Sequence, residues 1–108
     1  MTPDETTLDL QQLRTNADAA GQLLKALANP DRLLLLCQLA QGERNVSELE
    51  SQLGILQPTL SQQLAVLRRE ALVATRREGK QVYYRISSPA ALAVIGTLYQ
   101  LFCVGETS

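Results

Sequence analysis

The chain has 108 residues, 45% of them hydrophobic, with one Phe, three Tyr and no Trp. That length supports one domain whose core must come from Leu, Ile, Val and Ala, a composition that favours helices. A formal net charge of −1 argues against nonspecific nucleic-acid binding by the whole surface, and the absence of His weakens any reading as an acid–base enzyme or a zinc protein.

Residues 1–7 are polar and expected to be disordered, residues 8–104 form the domain, and 105–108 are expected to be a flexible tail. From Leu10 the apolar positions run Leu10, Leu13, Ala17, Ala20, Leu24, Leu27, the narrow seam of a helix that packs on another helix. Asn29-Pro30 ends this helix and starts the next, with Asn29 as N-cap. The second helix, about Pro30–Gln41, holds Leu33–Leu36 and Cys37 and is apolar nearly all round, which predicts a central place in the core. Asn45-Val46-Ser47-Glu48 reads as a capping box for a short third helix with Val46, Leu49 and Leu53 on one face and Gly54 at its C-terminal turn.

Pro58 marks the first turn of a fourth helix reaching about Glu70, with Leu60, Leu64 and Leu67 inward and Gln62, Ala65 and Arg69 outward. Neither Leu56 nor Gln57 is a strong N-cap for it. Two short helices joined by a tight Gly-containing turn make a helix-turn-helix. Two β-prone runs follow, about Leu72–Arg77 and Gln81–Ile86, around Glu78-Gly79-Lys80. Pro89 opens a last helix through Cys103 that is apolar nearly all round and needs cover on more than one side, with a partner subunit the expected source.

The charge is unevenly spread. Residues 1–67 carry a net −4, whereas residues 68–85 carry a net +4 from Arg68, Arg69, Arg76, Arg77, Lys80 and Arg85 against two Glu. A solvated surface without a binding role would mix the signs more evenly, so the pattern points to a local anion-binding face. Beside it, Gln57, Thr59, Ser61, Gln62 and Gln63 supply amides and hydroxyls suited to base edges, and Arg69, Arg76, Arg77, Lys80 and Gln81 supply contacts to phosphates or the minor groove. Double-stranded DNA is the expected partner.

No signal peptide is visible at the N-terminus, and the most apolar run, Ala90–Val104, is too short and too interrupted for a membrane span. A cytoplasmic protein without a membrane partner is expected, where two cysteines are more often free or redox-active than permanently paired.

The order helix, helix, helix-turn-helix, hairpin, helix resembles the winged-helix repressors of the ArsR/SmtB type. The motifs that carry the likeness are Leu56-Gln57-Pro58-Thr59-Leu60-Ser61-Gln62-Gln63-Leu64, then Leu67-Arg68 and the Arg76-to-Arg85 wing, together with Asn29-Pro30-Asp31-Arg32 at the start of the second helix. It spans roughly residues 15–103. The resemblance implies a mainly α fold with a β-hairpin wing and a homodimer joined through the first and last helices, here Leu10, Leu13, Ala17, Ala20, Leu24, Leu98, Leu101 and Phe102.

Both metal sites usual in that family are missing: Asn45-Val46-Ser47 stands where a Cys-Val-Cys core would be, and Pro89–Cys103 holds no acidic residue or His. No metal or cofactor is expected. Cys37 and Cys103, in Leu-Leu-Cys and Leu-Phe-Cys contexts, resemble the dithiol, persulfide-sensing subgroup (BigR-, SqrR- and YgaV-like). That likeness implies a repressor that releases operator DNA when persulfide or polysulfide donors bridge Cys37 and Cys103 within one protomer. The alternatives are the same repressor sensing general thiol oxidants, or a thiophilic ligand such as Cu(I), As(III) or haem, and, from another class, a thiol oxidoreductase. The last lacks a Cys-X-X-Cys motif.

Overall fold

The computed structural model describes residues 9–104, so the expectations for residues 1–7 and 105–108 fall outside the described residues. Helix α1 (Leu10–Leu27) starts at Asp9, whose carboxylate accepts from the Gln12 N–H at 2.7 Å. Helix α2 (Pro30–Leu39) is capped by Asn29, which accepts from the Arg32 N–H at 3.0 Å, with Pro30 pre-set in the first turn. Strand β1 is only Arg44–Asn45. The capping box of α3 (Val46–Leu53) closes both ways: the Glu48 N–H donates to Asn45 Oδ1 at 2.8 Å and the Asn45 N–H to Glu48 Oε1 at 2.9 Å. Gly54, at φ 71°, ends α3 in the left-handed conformation that suits glycine.

Helix α4 (Thr59–Arg69) follows, then strands β2 (Val73–Glu78) and β3 (Gln81–Ile86), and α5 (Pro89–Tyr99), which Ser88 caps by accepting from the Ala91 N–H at 3.1 Å. The chain continues from α5 as a π-helical turn, Gln100–Val104. The sequence predicts one unbroken helix through Cys103; its last five described residues are instead wound more loosely.

The three strands form one antiparallel sheet in the order β1-β3-β2. Pairs run from Val73 opposite Ile86 to Glu78 opposite Gln81, and Gly79-Lys80 makes the tip, with Gly79 at φ 61°. Arg44 and Asn45 pair with Tyr84 and Tyr83. This third strand is absent from the sequence-based expectation because two residues are too few to display a period of two.

Leu35, Leu36, Leu49, Leu60, Leu64, Leu67 and Ile95 are fully buried, so α2, α3, α4 and α5 share one core. Leu72 and Val73 join it from the start of the wing. Helix α2 is central as expected, although Leu34 faces outward. Helix α1 stands largely clear of the core: only Ala26 and Leu27 at its end are buried.

Candidate nucleic-acid interface and thiol site

The outer side of α4 carries Ser61, Gln62, Ala65, Arg68 and Arg69, all exposed, while Leu60, Leu64 and Leu67 anchor the helix from beneath. Thr59 is half-buried. Gln57 lies exposed just before the helix, and its side-chain oxygen accepts from the Ser61 N–H at 3.1 Å. That contact explains how α4 starts without a side-chain cap from Pro58: the residue before the cap satisfies one of the free donors of the first turn. Gln63 is half-buried, and its side-chain oxygen accepts from Arg32 Nη1 at 2.9 Å.

Arg77, Lys80, Gln81 and Arg85 are exposed on the wing. Arg76 is also exposed but has partners within the chain. It donates to Glu43 Oε1 at 2.8 Å and to Glu78 Oε1 at 2.6 Å, and its guanidinium lies 4.6 Å from the centre of the Tyr83 ring. The hydrogen bonds to Glu78 and Glu43 push its pKa further up, holding it charged. Arg69 sits 3.8 Å from Glu70 at the surface, a pair too exposed to hold it tightly. Of the ten polar positions expected to face DNA, Thr59, Ser61, Gln62, Arg69, Arg77, Lys80 and Gln81 make no side-chain hydrogen bond among the described residues, whereas the side chains of Gln57, Gln63 and Arg76 are engaged within the chain.

The two cysteines, more than sixty residues apart in sequence, line the same cavity. Both are free thiols, Cys37 half-buried and Cys103 exposed. Leu33, Cys37, Leu98, Tyr99, Phe102 and Cys103 line one apolar cavity of about 240 Å³ between α2 and the end of the last helix. Burial raises the Cys37 pKa above the ordinary thiol value, and the neighbouring Cys103 adds to the rise because two thiolates side by side repel. Both effects keep Cys37 protonated. Among the described residues no three His, Cys, Asp or Glu side chains come close enough to hold a metal ion.

The side chains expected at a dimer interface lie at the molecule's edge. Leu10, Leu13, Ala17, Ala20 and Leu24 are exposed along α1, as are Leu101 and Phe102, while Leu98 is half-buried; Leu10 is 62% exposed and Phe102 65%.

A pattern described as bacterial regulatory protein, arsR family, matches residues 29–75, which run from the α2 cap through the helix-turn-helix into β2. The chain is 49% identical to the biofilm growth-associated repressor of Agrobacterium fabrum, over 97% of this chain and 94% of that one. The chain belongs to the ArsR family of bacterial regulators. It is also 46% identical to the transcriptional activator HlyU of Vibrio cholerae, over 89% of each. Among solved structures, the transcriptional repressor BigR from Xylella fastidiosa superposes with a TM-score of 0.81 at 46% identity, covering 91% of this chain and 97% of that one. The homodimeric winged helix-turn-helix DNA-binding domain of a possible ArsR-family regulator from Mycobacterium bovis gives 0.74 at 33% identity, covering 86% of each.

The family is one of regulators rather than enzymes, and no described helix is long and apolar enough to cross a membrane. In family terms α3–turn–α4 is the helix-turn-helix and β2–β3 the wing. Sequence reasoning passed over two functional candidates, Arg32 and Glu43. A signal for Arg32 was available: a cation in the first turn of a helix opposes the helix dipole and needs another reason to be there.

Proposed function

We propose that two copies of this chain form a homodimeric repressor that holds operator DNA while Cys37 and Cys103 are reduced and releases it when a reactive sulfur species joins them within one protomer. The observation that carries this reading is the shared apolar cavity of the two thiols. The repressors among the relatives support the sign of regulation, and the homodimeric M. bovis domain supports the assembly. The apolar residues left uncovered on α1 and beyond α5 supply the surface it needs. Gln57, Thr59, Ser61, Gln62 and Arg69 from α4 and its lead-in, and Arg77, Lys80 and Gln81 from the wing, face the duplex.

The persulfide is itself the two-electron oxidant, its sulfane sulfur ending as hydrogen sulfide. One cysteine attacks the outer sulfur of a persulfide RSSH, releasing RSH and leaving Cys–S–SH. The other cysteine then attacks the first cysteine's own Sγ, forming the disulfide and expelling the outer sulfur as hydrogen sulfide. With a second RSSH, the same pair instead gives a trisulfide, again with RSH and hydrogen sulfide as products. Attack on either a persulfide or a peroxide needs a thiolate, so the raised Cys37 pKa disfavours Cys37 as the first nucleophile in both chemistries.

A bridge ties the end of the last helix to α2, and α2 packs directly on α4. Any shift of these helices changes the spacing of the two DNA-reading helices, which must match grooves about 34 Å apart. A coupling of about 1–3 kcal/mol weakens DNA binding roughly 5- to 150-fold.

The test titrates the reduced protein with glutathione persulfide, hydrogen peroxide and Cu(I) while operator binding and intact mass are followed. Persulfide releases DNA with a mass change of a disulfide or trisulfide, and Cys37→Ser and Cys103→Ser proteins bind DNA normally but do not release it. Release of the Cys37→Ser protein by persulfide, or release accompanied only by bound metal, refutes the proposal.

A further inference from the structure

Arg32 gathers three hydrogen bonds from two other helices. Its Nε donates to Ala26 O at 2.6 Å, its Nη2 to Lys25 O at 3.3 Å, and its Nη1 to Gln63 Oε1 at 2.9 Å. The first two acceptors belong to the last turn of α1, where carbonyls run short of helical donors, although Lys25 O also accepts from the Ala28 N–H at 3.3 Å, and where the dipole favours a cation. The third is on α4. Helices α1 and α4 both pack on α2, but between themselves they leave a cleft of about 220 Å³ lined by Gln22, Lys25, Ala26, Arg32, Val66 and Arg69, among others. The guanidinium spans this cleft.

We infer that Arg32 and Gln63 form a strut that fixes the DNA-reading helix against α1, so that Gln63 is a positioning residue for DNA binding and not a base reader. The strut rests on the reading of α4 as the helix that meets DNA and of α1 as the dimer helix. If α1 fixes one protomer to its partner, the angle between α1 and α4 sets where each reading helix points. Arg32 is suited to this because its planar fork holds acceptors on two elements at once. Gln63 contributes only an acceptor, and the half-buried amide is oriented by that contact.

The prediction separates a strut from a base contact. Gln63→Glu keeps the acceptor, now charge-assisted by Arg32, but places a carboxylate where a base reader would meet DNA. Gln63→Met keeps the size and removes the acceptor. For a strut, Gln63→Glu binds operator within about twofold of wild type, while Gln63→Met loses about tenfold on operator and single-base-pair variants alike. Arg32→Met with Gln63→Met is then no worse than Arg32→Met alone.

Hydrogen exchange on the DNA-free protein gives an independent readout. Gln63→Met should speed exchange at the end of α1 and the start of α4 while Gln63→Glu does not. The strut is overturned if Gln63→Glu loses far more than Gln63→Met, if the preferred base pair changes, or if exchange is the same in both variants. Should the wild-type protein hold no DNA, the regulator reading fails, and exchange alone decides the strut.

Discussion

Two neighbouring arginines on the wing have different surroundings. Arg76 is neutralised by Glu43 and Glu78 and stacked on Tyr83, whereas Arg77 is exposed and has no ion-pair partner among the described residues. Each phosphate contact contributes about −0.9 to the slope of log K against log[salt]. Arg77→Ala should therefore flatten that slope by about one contact, measured by gel shift or fluorescence anisotropy over a salt series. Arg76→Ala should leave the slope nearly unchanged while weakening binding through a mispositioned wing, and Glu43→Gln should weaken it in the same direction. If Arg76 met phosphate directly, removing the Glu43 charge would strengthen binding instead. The thiols make a second residue-scale prediction. Because burial and Cys103 raise the Cys37 pKa, alkylation of Cys37 at constant reagent should lag behind the same cysteine in unfolded chain at pH 7–8, with the gap narrowing as pH climbs past the raised value. Equal rates at pH 7–8 would contradict the burial account.

At the scale of elements, the caps do much of the placing. Replacing Asn45 by alanine removes one side of the capping box of α3 and should cost about 1 kcal/mol in denaturant unfolding. Gly54→Ala should also destabilise, because φ 71° is a conformation alanine resists. The capping box, the turn glycine, the Leu60-Leu64-Leu67 face and the hairpin centred on Gly79 were legible because each is written in adjacent or helically spaced residues. What was hidden depends on long-range partners. Strand β1 owes its existence to Tyr83 and Tyr84 on the far side of the helix-turn-helix. The start of α4 relies on Gln57, a residue with little intrinsic capping tendency. The inward turn of Gln63 could not be told from the outward turn of Gln62 by polarity, since only Arg32, thirty-one positions earlier, distinguishes them. That Cys37 and Cys103 line one cavity follows from the fold and could not be read from their spacing in sequence.

For the molecule as a whole, the excess of positive charge and the largest run of uncovered apolar residues lie mainly on different elements. Most exposed cations lie on α4 and the wing, with Arg14 and Lys25 on α1 as exceptions, while Leu10, Leu13, Leu24, Leu101 and Phe102 are exposed on α1 and beyond α5, and Leu34, Leu56 and Leu92 elsewhere. Under the proposed function the first set faces the duplex and the second a second copy. Leu13→Asp should split the proposed dimer and lower operator affinity by at least two orders of magnitude, because one reading helix alone cannot span successive grooves; analytical ultracentrifugation and gel shift on the same sample check this. A dimeric Leu13→Asp protein with full affinity would move the interface elsewhere. The proposed release mechanism belongs to this scale too, because a bridge at the end of the last helix acts between a surface that joins copies and a core that carries the reading helix.

The most direct measurement uses mixed dimers with Cys37→Ser in one protomer and Cys103→Ser in the other, exposed to glutathione persulfide on operator DNA. Such a dimer retains one cysteine of each kind but never both in the same chain, so it should stay bound and show no Cys37–Cys103 cross-link by peptide mass spectrometry. Release of the mixed dimer together with a cross-link between its two chains would contradict a switch that closes within a single protomer.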